Sequence, residues 1–242
     1  MKKIALGTIV LALAAGTAAA QDVRMGTEGA YPPYNFVNDD GEIDGFERKL
    51  GDELCERAGL TCTWVKNDWD SIIPNLVSGN YDTIIAGMSI TAERDEVIDF
   101  TQEYLPPDPS AFAALAGSTP DLEGGVIAAQ SATIQASFVA SSGATLVEFA
   151  TPDEAVNAVR NGEADAVLAD TAFLAEMVDG GDMEFVGDPV YIGGGVGMGL
   201  RESDADLKAK FNDAICSMKK DGSLAKLVAE YPELPQGKPA DC

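Results

Sequence analysis

With no histidine among its 242 residues, the chain must do any chemistry with carboxylates, Arg, Lys, Ser, Thr and aromatic rings. Imidazole acid/base relays, Ser-His-Asp or Cys-His nucleophiles and the usual zinc sites are excluded together. Asp170 closes the apolar run Ala166-Val167-Leu168-Ala169, a strand pattern, and so stands at the carboxyl edge where ligands sit in α/β sheets. The same aspartate, followed by Thr171, reads equally well as the N-cap of the next helix. Arg94, inside Thr91-Ala92-Glu93-Arg94-Asp95-Glu96, reads from pattern alone as a solvated helix charge. The glycine run Gly193 to Gly199 is not a dinucleotide loop, because it leads into Leu200-Arg201-Glu202 rather than opening a helix. It reads as a strand along which another segment approaches closely.

Cys55, Cys62, Cys216 and Cys242 lack the paired CxxC spacing of zinc ribbons. In an exported chain they point to disulfides. Cys55 and Cys62 bracket a helix end at Ala58-Gly59 and a strand from Thr61, which makes them the local pair. Cys216 and Cys242 are left to each other, with a free terminal thiol as the alternative.

Export is read from the N-terminus: Lys2 and Lys3, an apolar run from Ile4 to Ala15, then Ala18-Ala19-Ala20 before Gln21. This is the pattern of a cleaved signal peptide at residues 1–20, with an apolar run too short for a spanning helix. Apolar residues make up 46% and charged residues 23% of the sequence, with mean hydropathy near zero, which excludes a disordered tail or a coiled coil. Sixteen basic against forty acidic residues leave a formal charge of −24, so nucleic acid and anionic bilayers are poor partners. The sensor lobe of a receptor would require a membrane segment after Tyr231, which is not expected here.

The elements that must position these groups alternate. Strand-like runs at 23–27, 62–65 and 83–88 interleave with helical runs at 47–58 and 71–78. After the proline-rich stretch Leu105 to Pro109 the alternation restarts with strands at 111–116, 126–129, 145–149 and 166–168 and helices from Thr133 and over 152–161. The last has Thr151 as N-cap, Pro152 at the first helical position and Glu154 three residues after the cap. A strand over 193–200 and helices over 203–220 and up to Tyr231 are too little to fold alone. The chain is therefore expected to return to its first unit, giving an α/β protein in which 21–108 plus 192–242 form lobe 1 and 109–191 form lobe 2.

Four segments together carry a family resemblance: Gly26 to Phe36 (GTEGAYPPYNF), Gly45-Phe46-Glu47, Trp69 to Leu76 (WDSIIPNL) and Ala86 to Arg94 (AGMSITAER). In order and spacing the chain resembles the polar amino-acid family of periplasmic solute-binding proteins, with the lysine/arginine/ornithine, histidine and opine binders nearest in pattern. The resemblance implies a two-lobed clamshell, with the two crossovers as hinge, that receives an amino acid in the periplasm and delivers it to an inner-membrane ABC permease. It implies a monomer without cofactor, metal, nucleic-acid partner or membrane insertion.

The same resemblance implies a site. Arg94 would fork the ligand carboxylate, aided by backbone N–H groups near Ser89 and Thr133, with Ala86, Gly87, Met88 and Ser89 alongside. Asp170 and Thr133 would take the α-ammonium. Tyr31 and Trp69 would sandwich the side-chain stem, unless Trp69 is simply core. Glu28 would face a distal cation, unless it is surface decoration. A cationic ligand follows, arginine first, then ornithine, lysine, histidine or an opine, with a neutral polar amino acid as the alternative. A dehydratase-like enzyme on the same scaffold is the reading from another class, but an Arg between aromatic walls describes binding without chemistry. Arg48 stands where an apolar residue is common in the family.

Overall fold

The computed structural model describes residues 21–242; the expected signal peptide at 1–20 lies outside them. The chain runs β1 (Gln21–Thr27), β2 (Ala30–Tyr31), β3 (Asn35–Val37), β4 (Ile43–Asp44), α1 (Phe46–Ala58), β5 (Leu60–Lys66), a 3-10 turn (Trp69–Ser71), α2 (Ile72–Val77), β6 (Thr83–Ile84), α3 (Ala92–Asp95) and β7 (Asp99–Phe100). It continues through β8 (Ser110–Leu115), β9 (Val126–Gln130), α4 (Ile134–Ser142), β10 (Thr145–Phe149), α5 (Pro152–Arg160), β11 (Ala166–Asp170), α6 (Thr171–Asp179) and β12 (Met183–Val190). It ends with β13 (Gly199–Leu200), α7 (Ala205–Asp221) and α8 (Ser223–Val228).

Two five-stranded sheets result. The first has the order β5-β1-β6-β13-β7 and the second β10-β9-β11-β8-β12. β1 is parallel to both β5 and β6, and β9 is parallel to both β10 and β11. In each sheet one strand runs against the parallel core, β13 beside β6 and β8 beside β11, and the outermost strand, β7 or β12, pairs antiparallel with it. This is the two-lobed periplasmic-binding-protein fold, each lobe a sheet flanked by helices. The C-terminal segment does return to the first unit, because β13 inserts between β6 and β7 and α7 packs on α1.

Local chemistry explains the elements. α1 buries Phe46, Leu50 and Leu54, one face at four-residue spacing, and ends on Gly59 in the left-handed region. α5 has the capping box expected from Thr151 and Glu154, with Pro152 opening the helix. Both disulfides are formed, Cys55–Cys62 between α1 and β5 and Cys216–Cys242 between α7 and the C-terminus, with Cα separations of 6.1 and 5.7 Å. Arg48 does not enter the core: it pairs with Asp52 at 2.7 Å and lies 5.4 Å over the Trp64 ring.

Three readings are corrected. β12 is absent from the sequence reading because Gly187-Asp188-Pro189 breaks the pattern, and its place at a sheet edge is what tolerates a proline. The 193–200 strand is regular only at Gly199–Leu200; the rest makes isolated bridges at Val196 to Ser89 and Leu105. The close approach is nonetheless present, since a Cβ on Gly194 would sit 2.6 Å from the Ile90 carbonyl. The 83–88 strand ends at Ile84, where the chain turns toward Gly87, whose φ is +60.

The two crossovers run side by side. Val196 N–H donates to the Leu105 carbonyl at 3.0 Å, Tyr104 N–H to the Val196 carbonyl at 2.8 Å, and Ser110 pairs with Val190.

Candidate functional site

Parallel strands place their carboxyl ends on one side of a sheet, and the two sheets turn these ends toward each other. Glu28 follows β1, the Trp69 turn follows β5, and the Ala86–Ser89 loop follows β6. Facing them, Gln130 ends β9, Thr133 caps α4, and Asp170 ends β11. Between them lies a cavity. It is lined by Glu28, Tyr31, Trp69, Ala86, Gly87, Ser89, Arg94, Thr133 and Asp170, together with Gln130, Ile134 and Gln135.

Met88 is the exception. It is fully buried in the first lobe in the cluster of Trp69, Ile72, Leu76, Tyr81 and Ile98, while its neighbours Gly87 and Ser89 line the cavity. It supports the loop from behind.

Arg94 is no solvated helix charge. Thr91 caps the short α3, its hydroxyl accepting from the Arg94 N–H at 3.2 Å. The guanidinium donates to the Ser89 carbonyl at 2.9 Å and lies 5.3 Å from the Trp69 ring centroid. Among the described residues no carboxylate forms an ion pair with it. Desolvation holds its pKa down at about 10.

The N-cap alternative for Asp170 fails: the residue occupies the cap position of α6, yet its carboxylate caps nothing. It accepts instead from the Tyr31 hydroxyl at 3.0 Å, the Gln135 amide at 2.8 Å and, at 3.3 Å, the Ser110 hydroxyl. Burial, reinforced by the charge of nearby Asp108, holds the Asp170 carboxyl above the ordinary range, and burial alone raises that of Asp108. Asp108 accepts from the Tyr34 hydroxyl at 2.9 Å and from the Ala172 N–H at 3.3 Å, tying a crossover to both lobes.

Glu28 is 4% exposed, not surface decoration, and burial pushes its carboxyl up to about 7. Trp69 is both core and cavity wall, its indole N–H donating to the Ala132 carbonyl at 3.1 Å across the cleft. Tyr31 stacks on Phe173 with centroids 4.5 Å apart. The Thr133 hydroxyl accepts from the Ala136 N–H and gives its proton to the Gln130 carbonyl, so it has only an acceptor lone pair left to offer. That suits an ammonium rather than a carboxylate.

Sequence reasoning missed Gln130, Gln135, Ile134 and the role of Glu47. Glu47 is fully buried and accepts from the Gly87 N–H at 2.6 Å, Asn35 at 2.7 Å and the Tyr104 hydroxyl. It therefore fixes the Ala86–Ser89 loop from below. Gln130 and Gln135 carried one signal, a strand end and a helix start beside Thr133, but an uncharged amide in a polar run does not stand out.

The arrangement sets a desolvated guanidinium and two buried carboxylates around one cavity, each without an ionic partner. Such charges are costly unless a ligand supplies the complement. Among known proteins, the chain is 34% identical to the L-arginine-binding protein of Pseudomonas aeruginosa, over 96% of each sequence. It is 33% identical to the lysine/arginine/ornithine-binding periplasmic protein of Escherichia coli K12, over 96% of this chain and 97% of that one. A solved periplasmic His/Glu/Gln/Arg/opine family-binding protein from Silicibacter pomeroyi, in complex with lysine, is 66% identical with a TM-score of 0.85, covering 91% of this chain and 100% of the other. Residues 23–233 match one family along nearly the whole described chain, and the protein belongs to it: the bacterial extracellular solute-binding proteins, family 3.

Proposed function

We propose that the chain is a periplasmic receptor that encloses a cationic L-amino acid, arginine or lysine, between its lobes and delivers it to an inner-membrane ABC permease. One observation carries this reading: a cavity with one unpaired cation, Arg94, and two unpaired carboxylates, Asp170 and Glu28. A zwitterion with a cationic side chain supplies the three opposite charges, carboxylate to Arg94, α-ammonium to Asp170 and side-chain cation to Glu28. A neutral amino acid leaves Glu28 unmatched. The names of the relatives, arginine and lysine/arginine/ornithine binders, and the lysine held by the Silicibacter pomeroyi protein support the same class.

In this reading residues 21–108 with 192–242 move as lobe 1 and 109–191 as lobe 2, about the paired crossovers. Ligand docks on Tyr31, Trp69 and Arg94, and closure brings Thr133 and Asp170 onto the ammonium; the closed form is what the permease recognises. The protein is a receptor rather than an enzyme, as are the relatives named above. Residues 1–20 direct export.

A thermal-shift screen of ligand-stripped protein tests this directly. Arginine or lysine at a thousand times its dissociation constant stabilises by about 4 kcal/mol. No shift with either, and a shift with glutamine, an opine or prephenate instead, overturns the cationic assignment.

A further inference from the structure

Glu28 and Gln130 come from different sheets and meet across the cleft: the Gln130 Nε2 donates to Glu28 Oε1 at 2.6 Å. The same nitrogen donates to the Ala150 carbonyl at 3.2 Å, so both amide hydrogens are engaged and the amide is oriented by two acceptors. A flipped amide would set its oxygen against two others. Glu28 and Gln130 are both buried. We propose that Gln130 is the positioning residue that sets cation selectivity, by docking its amide on Glu28 as the lobes close.

The inference rests on the reading of Glu28 as counter-charge to the ligand's side chain. Its physical content is that a neutral donor stabilises the ionised carboxylate without cancelling its charge. A lysine at 130 would neutralise Glu28, and an apolar residue would let burial keep it protonated. Around Glu28 the other charged groups are Lys66, Asp68 and Asp153, which act on it through space, the first favouring ionisation and the two acids opposing it. Gln130 is the side chain that hydrogen-bonds it among the described residues, and it leaves Oε2 for the ligand. Because Gln130 belongs to the second sheet, the full cation subsite exists only with the lobes together. Selectivity for charge is thereby read at closure rather than at first encounter.

The test is a double-mutant cycle on the full mature protein, titrated calorimetrically with L-lysine from pH 6 to 9. Gln130→Met, which keeps length and removes the amide, is expected to weaken lysine about 10-fold near neutral pH, the low end for a hydrogen bond to a charged group. It should also move the pH midpoint of lysine affinity upward. Gln130→Asn, too short to reach, should behave alike. In a Glu28→Gln background Gln130→Met should change lysine affinity less than 2-fold. A loss that persists in that background means that Gln130 touches the ligand itself and overturns the proposal, as does an unmoved pH midpoint. A Glu28→Gln single variant that binds lysine like the wild type overturns the counter-charge reading and the proposal with it, a result distinct from the other two.

Discussion

The Tyr31 hydroxyl and the Asp170 carboxylate, 139 residues apart, meet across the cleft at 3.0 Å, and the Asp170 N–H donates back to the same hydroxyl at 3.1 Å. Tyr31 thus touches both the backbone and the side chain of the residue expected to hold the ligand's ammonium. Gln130 on Glu28 and Trp69 on Ala132 are further polar contacts between the lobes beside the cavity.

Replacing Arg94 separates binding from folding. Its guanidinium is desolvated and without an ionic partner, so it costs the ligand-free protein stability rather than adding to it. Arg94→Ala is expected to abolish lysine and arginine binding in calorimetry while leaving the ligand-free melting temperature unchanged or higher. Arg94→Lys keeps the charge but loses the planar fork, and should weaken binding at least 10-fold. A large drop in ligand-free stability in either variant would make Arg94 a structural residue.

The pH dependence has a definite sign. Glu28 is raised to about 7, and Asp170 and Asp108 are raised as well, all by burial. Between their unfolded values near 4 and their folded values the native state holds more protons than the unfolded one. These groups therefore stabilise the ligand-free protein fully below about pH 4, and that contribution is lost as pH rises through about 7. A cationic ligand requires Glu28 and Asp170 ionised, so its affinity rises over the same window with release of protons. Calorimetric melting with and without L-lysine from pH 5 to 8 should show the gap between the two widening as pH rises; a constant or narrowing gap contradicts the assignment.

Trp69 joins two functions that a phenylalanine would divide. Its ring faces the Arg94 guanidinium, and its N–H holds the carbonyl of Ala132, a residue with a φ of 57. Trp69→Phe keeps the ring and removes the cross-cleft bond, a loss of about 1 kcal/mol. Stopped-flow measurements should show lysine leaving about 2- to 10-fold faster with an unchanged association rate. A change confined to association would place Trp69 in encounter rather than closure.

The Cys216–Cys242 bridge closes a separation of 26 residues, worth about 3.5 kcal/mol on the chain-entropy estimate. Neither cysteine lines the cavity. The double serine variant should melt lower yet bind lysine within 2-fold of wild type; a larger loss of affinity would couple the C-terminus to the site.

Legibility in the sequence followed chemistry that is local. The α5 capping box, the Gly59 helix stop and both cysteine pairs rest on residues near one another or on simple elimination, and the structure has them. Asp170 was legible because it closes an apolar strand run, at the end of which ligands sit in α/β sheets; Glu28, Trp69 and Arg94 were named only through the family resemblance, since their own local pattern reads as core or as solvated charge. Met88 was misplaced because the loop turns at Gly87, and only packing in the cluster with Ile72 and Tyr81 settles which way the next side chain faces.

The sequence by itself determined the α/β alternation, the return of the C-terminal segment, the helix ends and the acidic, histidine-free chemistry open to the chain. The tertiary structure alone decided which polar groups are charged, buried and unpaired together. Glu28, Asp170 and Arg94 have ordinary local sequence; it is the meeting of two sheet edges that strips water from them and raises or lowers their proton affinity. Gln130 and Glu47 were invisible for the same reason: their partners, Glu28 and Gly87, lie 102 and 40 residues away, and no periodicity records a hydrogen bond across that distance.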